Sequence, residues 1–130
     1  MKDILPNPSQ INSRLEQLSA LNDGWLDGSG IAPDTNALQN LGSLFQSHYD
    51  KSLPIPYIYP TADGGLQLEW SPEDWEATLE LNLQTFDGDY QALKLSDGTS
   101  REECVTLGNP DGWLRLNQLI RQTLGQVLAA

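Results

Sequence analysis

The sequence predicts an α+β domain: two N-terminal helices, an antiparallel sheet of four to five strands wound as a meander, and one C-terminal helix, with the helices on one sheet face. Three observations carry this. Apolar residues recur at helical spacing near both ends of the chain, the period switches to two in the middle, and the turns between the alternating segments are short. Connections that short join antiparallel strands only.

Asn7, Pro8, Ser9 and Gln10 form a helix start, with Asn7 as cap, Pro8 in the first turn and Gln10 bonding back to the cap. Ile11, Leu15, Leu18 and Leu21 then make one apolar face, and Asn22-Asp23-Gly24 stops the helix with Gly24 in the left-handed region. A glycine-rich loop from Gly24 to Gly30 holds one large aromatic, Trp25, which is expected to plug the core. Ala32-Pro33-Asp34 opens the second helix, with Pro33 in its first turn. Ala37, Leu38, Leu41, Leu44, Phe45 and His48 form its buried stripe. The prolines at 54 and 56 forbid its continuation.

Residues 56–83 carry the clearest strand signal: three strands joined by two turns. Leu66, Leu68 and Trp70 alternate with Gln67 and Glu69. Trp75, Ala77, Leu79, Leu81 and Leu83 alternate with Glu76, Thr78, Glu80 and Asn82. A four-residue turn, Ser71 to Asp74, pairs Trp70 with Trp75, Leu68 with Ala77 and Leu66 with Leu79, which places Glu69 opposite Glu76. Around Asp63-Gly64 a two-residue loop turns Tyr57 and Tyr59 inward, and an odd loop turns Ile58 inward. A three-residue loop, Asp87 to Asp89, is preferred for the next turn, because it buries Leu93 and Leu95 rather than Lys94. Ser96 to Arg101 reads as a polar connection and Cys104 to Leu107 as a short fifth strand. Asn109-Pro110-Asp111-Gly112 then opens a helix whose inner face is Trp113, Leu116, Ile120, Leu124 and Val127, widened by Leu119 and Leu128.

The chain of 130 residues is read as one domain, 1–130. Eighteen acidic against seven basic residues give a net charge of −11, which disfavours nucleic acid and anionic membrane as partners. Solubility alone is the simplest account of that charge; a basic protein or a cation are the others. The first residues lack a long apolar run and no segment reaches membrane-spanning length, so a cytoplasmic location is expected. One cysteine and one histidine provide neither a disulfide nor a zinc set, and no cofactor is implied.

Between Asp63 and Asp89 lie eight acidic residues, and no Lys or Arg occurs between Lys51 and Lys94. Glu69, Glu76 and Glu80 on the outer sheet face, with Asp63, Asp87 and Asp89 in the turns, are the candidate partner-binding residues. Such a face guards a sheet against edge association, or docks a basic partner that relieves its repulsion. Acid/base catalysis by a carboxylate pair calls for a cleft and unequal environments, which a flat ladder does not supply.

A second reading makes the domain a ligand-binding or hydrolytic one, using the Trp25–Asp27 loop with Asp34 or Glu69 nearby in a pocket. A third places a weak calcium site at Asp23–Asp34, where Asp23, Asp27, Gly28 and Asp34 fall at positions 1, 5, 6 and 12 of a calcium loop. Trp25 occupies position 3, where a ligand belongs. The loop also lacks the Lys and Ser/Thr of a phosphate cradle. His48 reads as a structural histidine and Cys104 as an inert core residue. A homodimer through a sheet edge or the last helix is a further arrangement.

Asp23-Gly24-Trp25-Leu26-Asp27-Gly28-Ser29-Gly30 with Ala32-Pro33, then Tyr59-Pro60-Thr61 and Asp63-Gly64-Gly65-Leu66-Gln67-Leu68-Glu69-Trp70, form a spaced set of motifs. The set resembles a group of small acidic bacterial proteins sharing a DGWxDGxGxAP…YPTxDGGxQLEW pattern, over about residues 10–83. That group has no assigned activity or catalytic residues, so the resemblance implies none here. In size and acidity the chain is similar to bacterial antitoxins and immunity proteins, an analogy that implies protein binding. The sequence therefore reads as a small acidic bacterial protein-binding domain, antitoxin-like or immunity-like, docking a basic partner through the acidic sheet face.

Overall fold

The chain runs α1 (Pro8–Ser19), α2 (Thr35–His48), β1 (Tyr57–Pro60), β2 (Leu66–Trp70), β3 (Trp75–Leu81), β4 (Asp87–Lys94), β5 (Ser100–Thr106) and α3 (Pro110–Leu128). The computed structural model describes residues 8–71 and 74–128, with side chains described over 11–71 and 74–123. The proposed caps Asn7 and Gln10, the tip of the β2–β3 turn, and the side chains of Leu124, Val127 and Leu128 lie outside this set. The five strands form one antiparallel sheet in the order β1-β2-β3-β4-β5, the meander expected.

The helices cover one sheet face. Leu66, Leu68 and Trp70 of β2, Ala77, Leu79 and Leu81 of β3, and Tyr90 and Ala92 of β4 point into the core with Ile58 of β1. Ile11, Leu15 and Leu18 of α1, Leu38, Leu41 and Phe45 of α2, and Trp113, Leu116 and Ile120 of α3 close it. Each fully buried leucine contributes about 2 kcal/mol of transfer free energy. The Phe45 and Trp113 rings meet edge-on with centroids 5.0 Å apart, which locks α2 against α3. Gly42 marks the close approach of α1 to α2, since a Cβ there would stand 2.9 Å from Asn12 Oδ1.

Several local expectations are corrected. α2 begins at Thr35, and Asp34 is its N-cap, accepting from the Ala37 N–H at 2.9 Å, so Pro33 precedes the helix. α1 ends at Ser19, and Gly24 (φ 89°) turns the following loop instead of stopping the helix. Trp25 is half-buried outside the core; its Nε1 donates to the Ile31 carbonyl at 3.0 Å and the ring lies over Gly30. The loop closes on itself through Gly24 N–H to Gly30 O and Leu26 N–H to Ser29 O, so the aromatic covers its own hairpin.

The register of β2 on β3 differs from expectation by two residues. Trp70 pairs with Ala77, Leu68 with Leu79 and Leu66 with Leu81, so Glu69 faces Thr78, not Glu76. A slip of two keeps every side chain on its face, so hydrophobic alternation does not distinguish the registers. β3 also overhangs β2, and Trp75 pairs only with Lys94 of β4. The β3–β4 turn spans Asn82 to Phe86, and β4 presents Gly88, Tyr90 and Ala92 inward; Leu93 and Leu95 are exposed. Tyr90 decides that parity. Its ring packs edge-on against Trp70, and Gly88 makes room for Leu79, whose Cδ1 would stand 2.8 Å from an added Cβ. Lys94 reaches the end of the core face, with its ammonium 3.9 Å from Asp97. The β1–β2 loop is odd, as the buried Ile58 and exposed Tyr57 and Tyr59 show. β5 begins at Ser100, earlier than expected, and Cys104 is exposed rather than in the core.

Candidate functional site

Strand alternation and the observed register define the outer face as rows crossing the sheet. One row reads Tyr57, Glu69, Thr78, Gln91, Glu102; the next reads Tyr59, Gln67, Glu80, Asp89, Cys104. Glu76 and Leu93 form a third row with Ser100, and Asp87 pairs with Thr106 in a fourth. Six carboxylates therefore share this face: Glu69, Glu76, Glu80, Asp87, Asp89 and Glu102. All are exposed except the half-buried Glu69. The like-charged pair directly across a ladder is Glu80 and Asp89, where Glu69 and Glu76 were expected. Glu102 is not among the sequence candidates because it falls between the polar connection ending at Arg101 and the short strand starting at Cys104, whereas β5 runs from Ser100. The alternation of Arg101, Glu103 and Val105 against Glu102, Cys104 and Thr106 is the signal that finds it.

The cations lie elsewhere. Arg14 Nε donates to the Ile58 carbonyl at 2.8 Å, and Arg101 bonds Gln122 of α3. Arg115 forms a two-pronged pair with Glu103, at 2.5 and 2.7 Å, and Arg121 pairs with Asp50. The Arg115 guanidinium holds the Glu103 carboxyl below its ordinary range. Each of these arginines is engaged on the helix side of the sheet. Among the described residues, no Lys or Arg stands on the outer face.

A groove of about 740 Å³ runs along the end of the sheet where the β1–β2 and β3–β4 turns meet the segment before α2. Asp34, Asp63, Glu80, Asp87, Asp89 and Cys104 line it. Of the candidate residues, the groove gathers Asp63, Glu80, Asp87 and Asp89. Glu69 and Glu76 stay on the open face, and Trp25 and Asp27 do not line it. Asp63 is fixed by the Thr61 hydroxyl and the Gly65 N–H, which hold its carboxyl below the ordinary range. The turn is tied to the glycine-rich loop by the Ile31 N–H, which donates to the Ala62 carbonyl at 2.9 Å.

In the Asp23–Asp34 stretch, Asp23 accepts from the Ala32 N–H at 2.9 Å and Asp34 caps α2. Among the described residues, no group of three or more His, Cys, Asp or Glu is arranged to hold a metal ion. His48 is half-buried, with its ring stacked against Trp113 at 6.3 Å and its carbonyl accepting from Asn117 Nδ2 at 2.9 Å. Cys104 Sγ donates to Asp89 Oδ1 at 2.9 Å, and that carboxylate pushes the thiol above its ordinary pKa. An exposed thiol held protonated in this way is a poor nucleophile.

Comparison of the chain with protein-family models, with curated proteins and with solved structures found no match. Among the described residues, no helix is long and apolar enough to cross a membrane.

Proposed function

We propose that this chain is a small protein-binding domain that docks a basic partner through the acidic outer face of its sheet, as an antitoxin-like or immunity-like neutraliser. One observation carries this reading: the separation of charge across the sheet. Six carboxylates stand on the outer face, while Arg14, Arg101, Arg115 and Arg121 are all bonded on the helix side. Solubility requires net charge and is indifferent to its arrangement. An uncompensated face stores like-charge repulsion that a cationic surface relieves on contact, and it accelerates encounter at low salt. A basic toxin or nuclease is the partner class that fits. The protonated Cys104 and the wall-packed His48 favour binding over nucleophilic chemistry.

The test is capture of partners at low and high salt by the wild-type chain, by a variant neutralised on the face (Glu69→Gln, Glu80→Gln, Asp89→Asn, Glu102→Gln), and by a control neutralised at Glu16, Asp27, Asp111 and Asp23→Asn. The expected result is a basic protein retained by wild type and control and lost by the face variant. Equal capture by all three would remove the acidic face as the docking surface.

A further inference from the structure

We propose that the outward edge of β5 is a docking edge for an extended, lysine- or arginine-bearing segment of the partner, which adds a sixth strand and carries its cations onto the acidic face. This rests on the reading of the face as a docking surface and specifies how the partner engages it.

The ladder determines which groups are unpaired. Lys94 N–H donates to the Thr99 carbonyl and Leu107 N–H to the Phe86 carbonyl. With the pairing of Tyr90 to Glu103 and Gly88 to Val105, this places the odd residues of β5 in hydrogen bonds with β4. Ser100, Glu102, Cys104 and Thr106 therefore turn their N–H and C=O groups away from the sheet. The Thr106 carbonyl accepts from the Asn109 N–H and lies against Gly112 of α3, so the open edge is Ser100 to Cys104. Among the described residues, no backbone or side-chain partner takes up those of Glu102 or Cys104. The same residues project their side chains onto the acidic face. A strand laid on this edge would gain backbone bonds and place its cations beside Glu102 and, reaching across Cys104, toward Asp89 in one geometry.

The opposite edge is blunted. Thr61 N–H donates to Gly65 O, which sets the even residues of β1 outward. Pro60 has no N–H to offer, and the Ile58 carbonyl is already taken by Arg14. Charged residues on β5 guard that edge against neutral or acidic strands. The same charges admit a cationic one, and a second copy of a chain with net charge −11 would meet repulsion there.

The probe is a synthetic peptide long enough to span Ser100 to Cys104, alternating lysine and valine, beside the same peptide N-methylated at every second amide. Binding is followed with the wild-type chain by titration and by amide hydrogen exchange. The expected result is slowed exchange at Glu102 and Cys104 on binding. N-methylation should weaken binding by about tenfold or more, the loss of two or three hydrogen bonds. Glu102→Gln and Asp89→Asn should weaken it as well. Equal affinity for both peptides, or binding that leaves those two amides unprotected, would overturn the edge while leaving the face reading intact. Absence of binding would also overturn it, and the capture experiment above would then judge the face separately. Protection of the same amides that rises with protein concentration and without peptide would assign the edge to a second copy.

Discussion

Glu80 stands directly across the β3–β4 ladder from Asp89, and Cys104 follows Asp89 in the same row. Two carboxylates in that relationship repel, by some tenths of a kcal/mol at an exposed position. Glu80→Gln is expected to stabilise the fold by about 0.2–0.5 kcal/mol at low salt, with the gain fading as salt screens the pair. Urea unfolding at two ionic strengths measures this. A loss of stability at low salt would show that the pair is not repulsive.

Cys104 is expected to alkylate slowly at neutral pH despite its exposure, because Asp89 accepts its S–H and opposes the thiolate. The pH midpoint of its reaction with iodoacetamide should lie above that of a free thiol. In Asp89→Asn the midpoint should fall toward the ordinary value. An unchanged midpoint would place the cause elsewhere than at Asp89.

Gly112→Ala sets two effects against each other. Alanine gains about 1 kcal/mol in a helix over glycine. A Cβ at 112 would, however, stand 1.8 Å from the Thr106 carbonyl oxygen, a backbone atom at the end of β5. Overpacking of this kind costs about 1–3 kcal/mol or more, and a carbonyl cannot rotate aside as a side chain does. The clash is expected to win, with net destabilisation and a lower urea midpoint. A stabilised variant would mean that α3 can slide off β5 at little cost.

Burial pushes the hydroxyls of Tyr49 and Tyr90 above the ordinary tyrosine range. The folded pKa is the raised one, so both groups contribute stability that is complete below about pH 10, the unfolded value. That contribution is lost as pH rises through the folded values. Stability should therefore fall at alkaline pH, and absorbance at 295 nm should show tyrosines ionising together with unfolding. A chain that keeps its midpoint while all four tyrosines ionise would contradict the burial.

The layer structure and strand count were legible because period-two alternation from Leu66 to Leu81 marks the sheet, and flanking helical periodicity marks its cover. Which residues face each other was not. The β2–β3 register slipped by two, a change to which apolar alternation is blind. On β4, burying Leu93 and Leu95 instead of Lys94 favours the wrong parity, because the aromatic Tyr90 fills the space beside Trp70. Asn82 held the missing clue: its Oδ1 accepts from the N–H groups of Gln84 and Thr85, a turn-forming habit of asparagine, so the turn begins there and not at Asp87. Of the candidate site, the acidic character was readable. The groove lined by Asp34, Asp63, Glu80, Asp87 and Asp89 was not, because it joins three stretches distant in sequence.

The engagement of every described arginine on the helix side gives the molecule an electrical polarity along the sheet normal. A cationic body approaching from any direction would exert a torque on it before touching it, turning the carboxylate rows forward. Such pre-alignment widens the range of productive approach angles, so its signature is in how often encounters succeed, more than in how long a complex lasts.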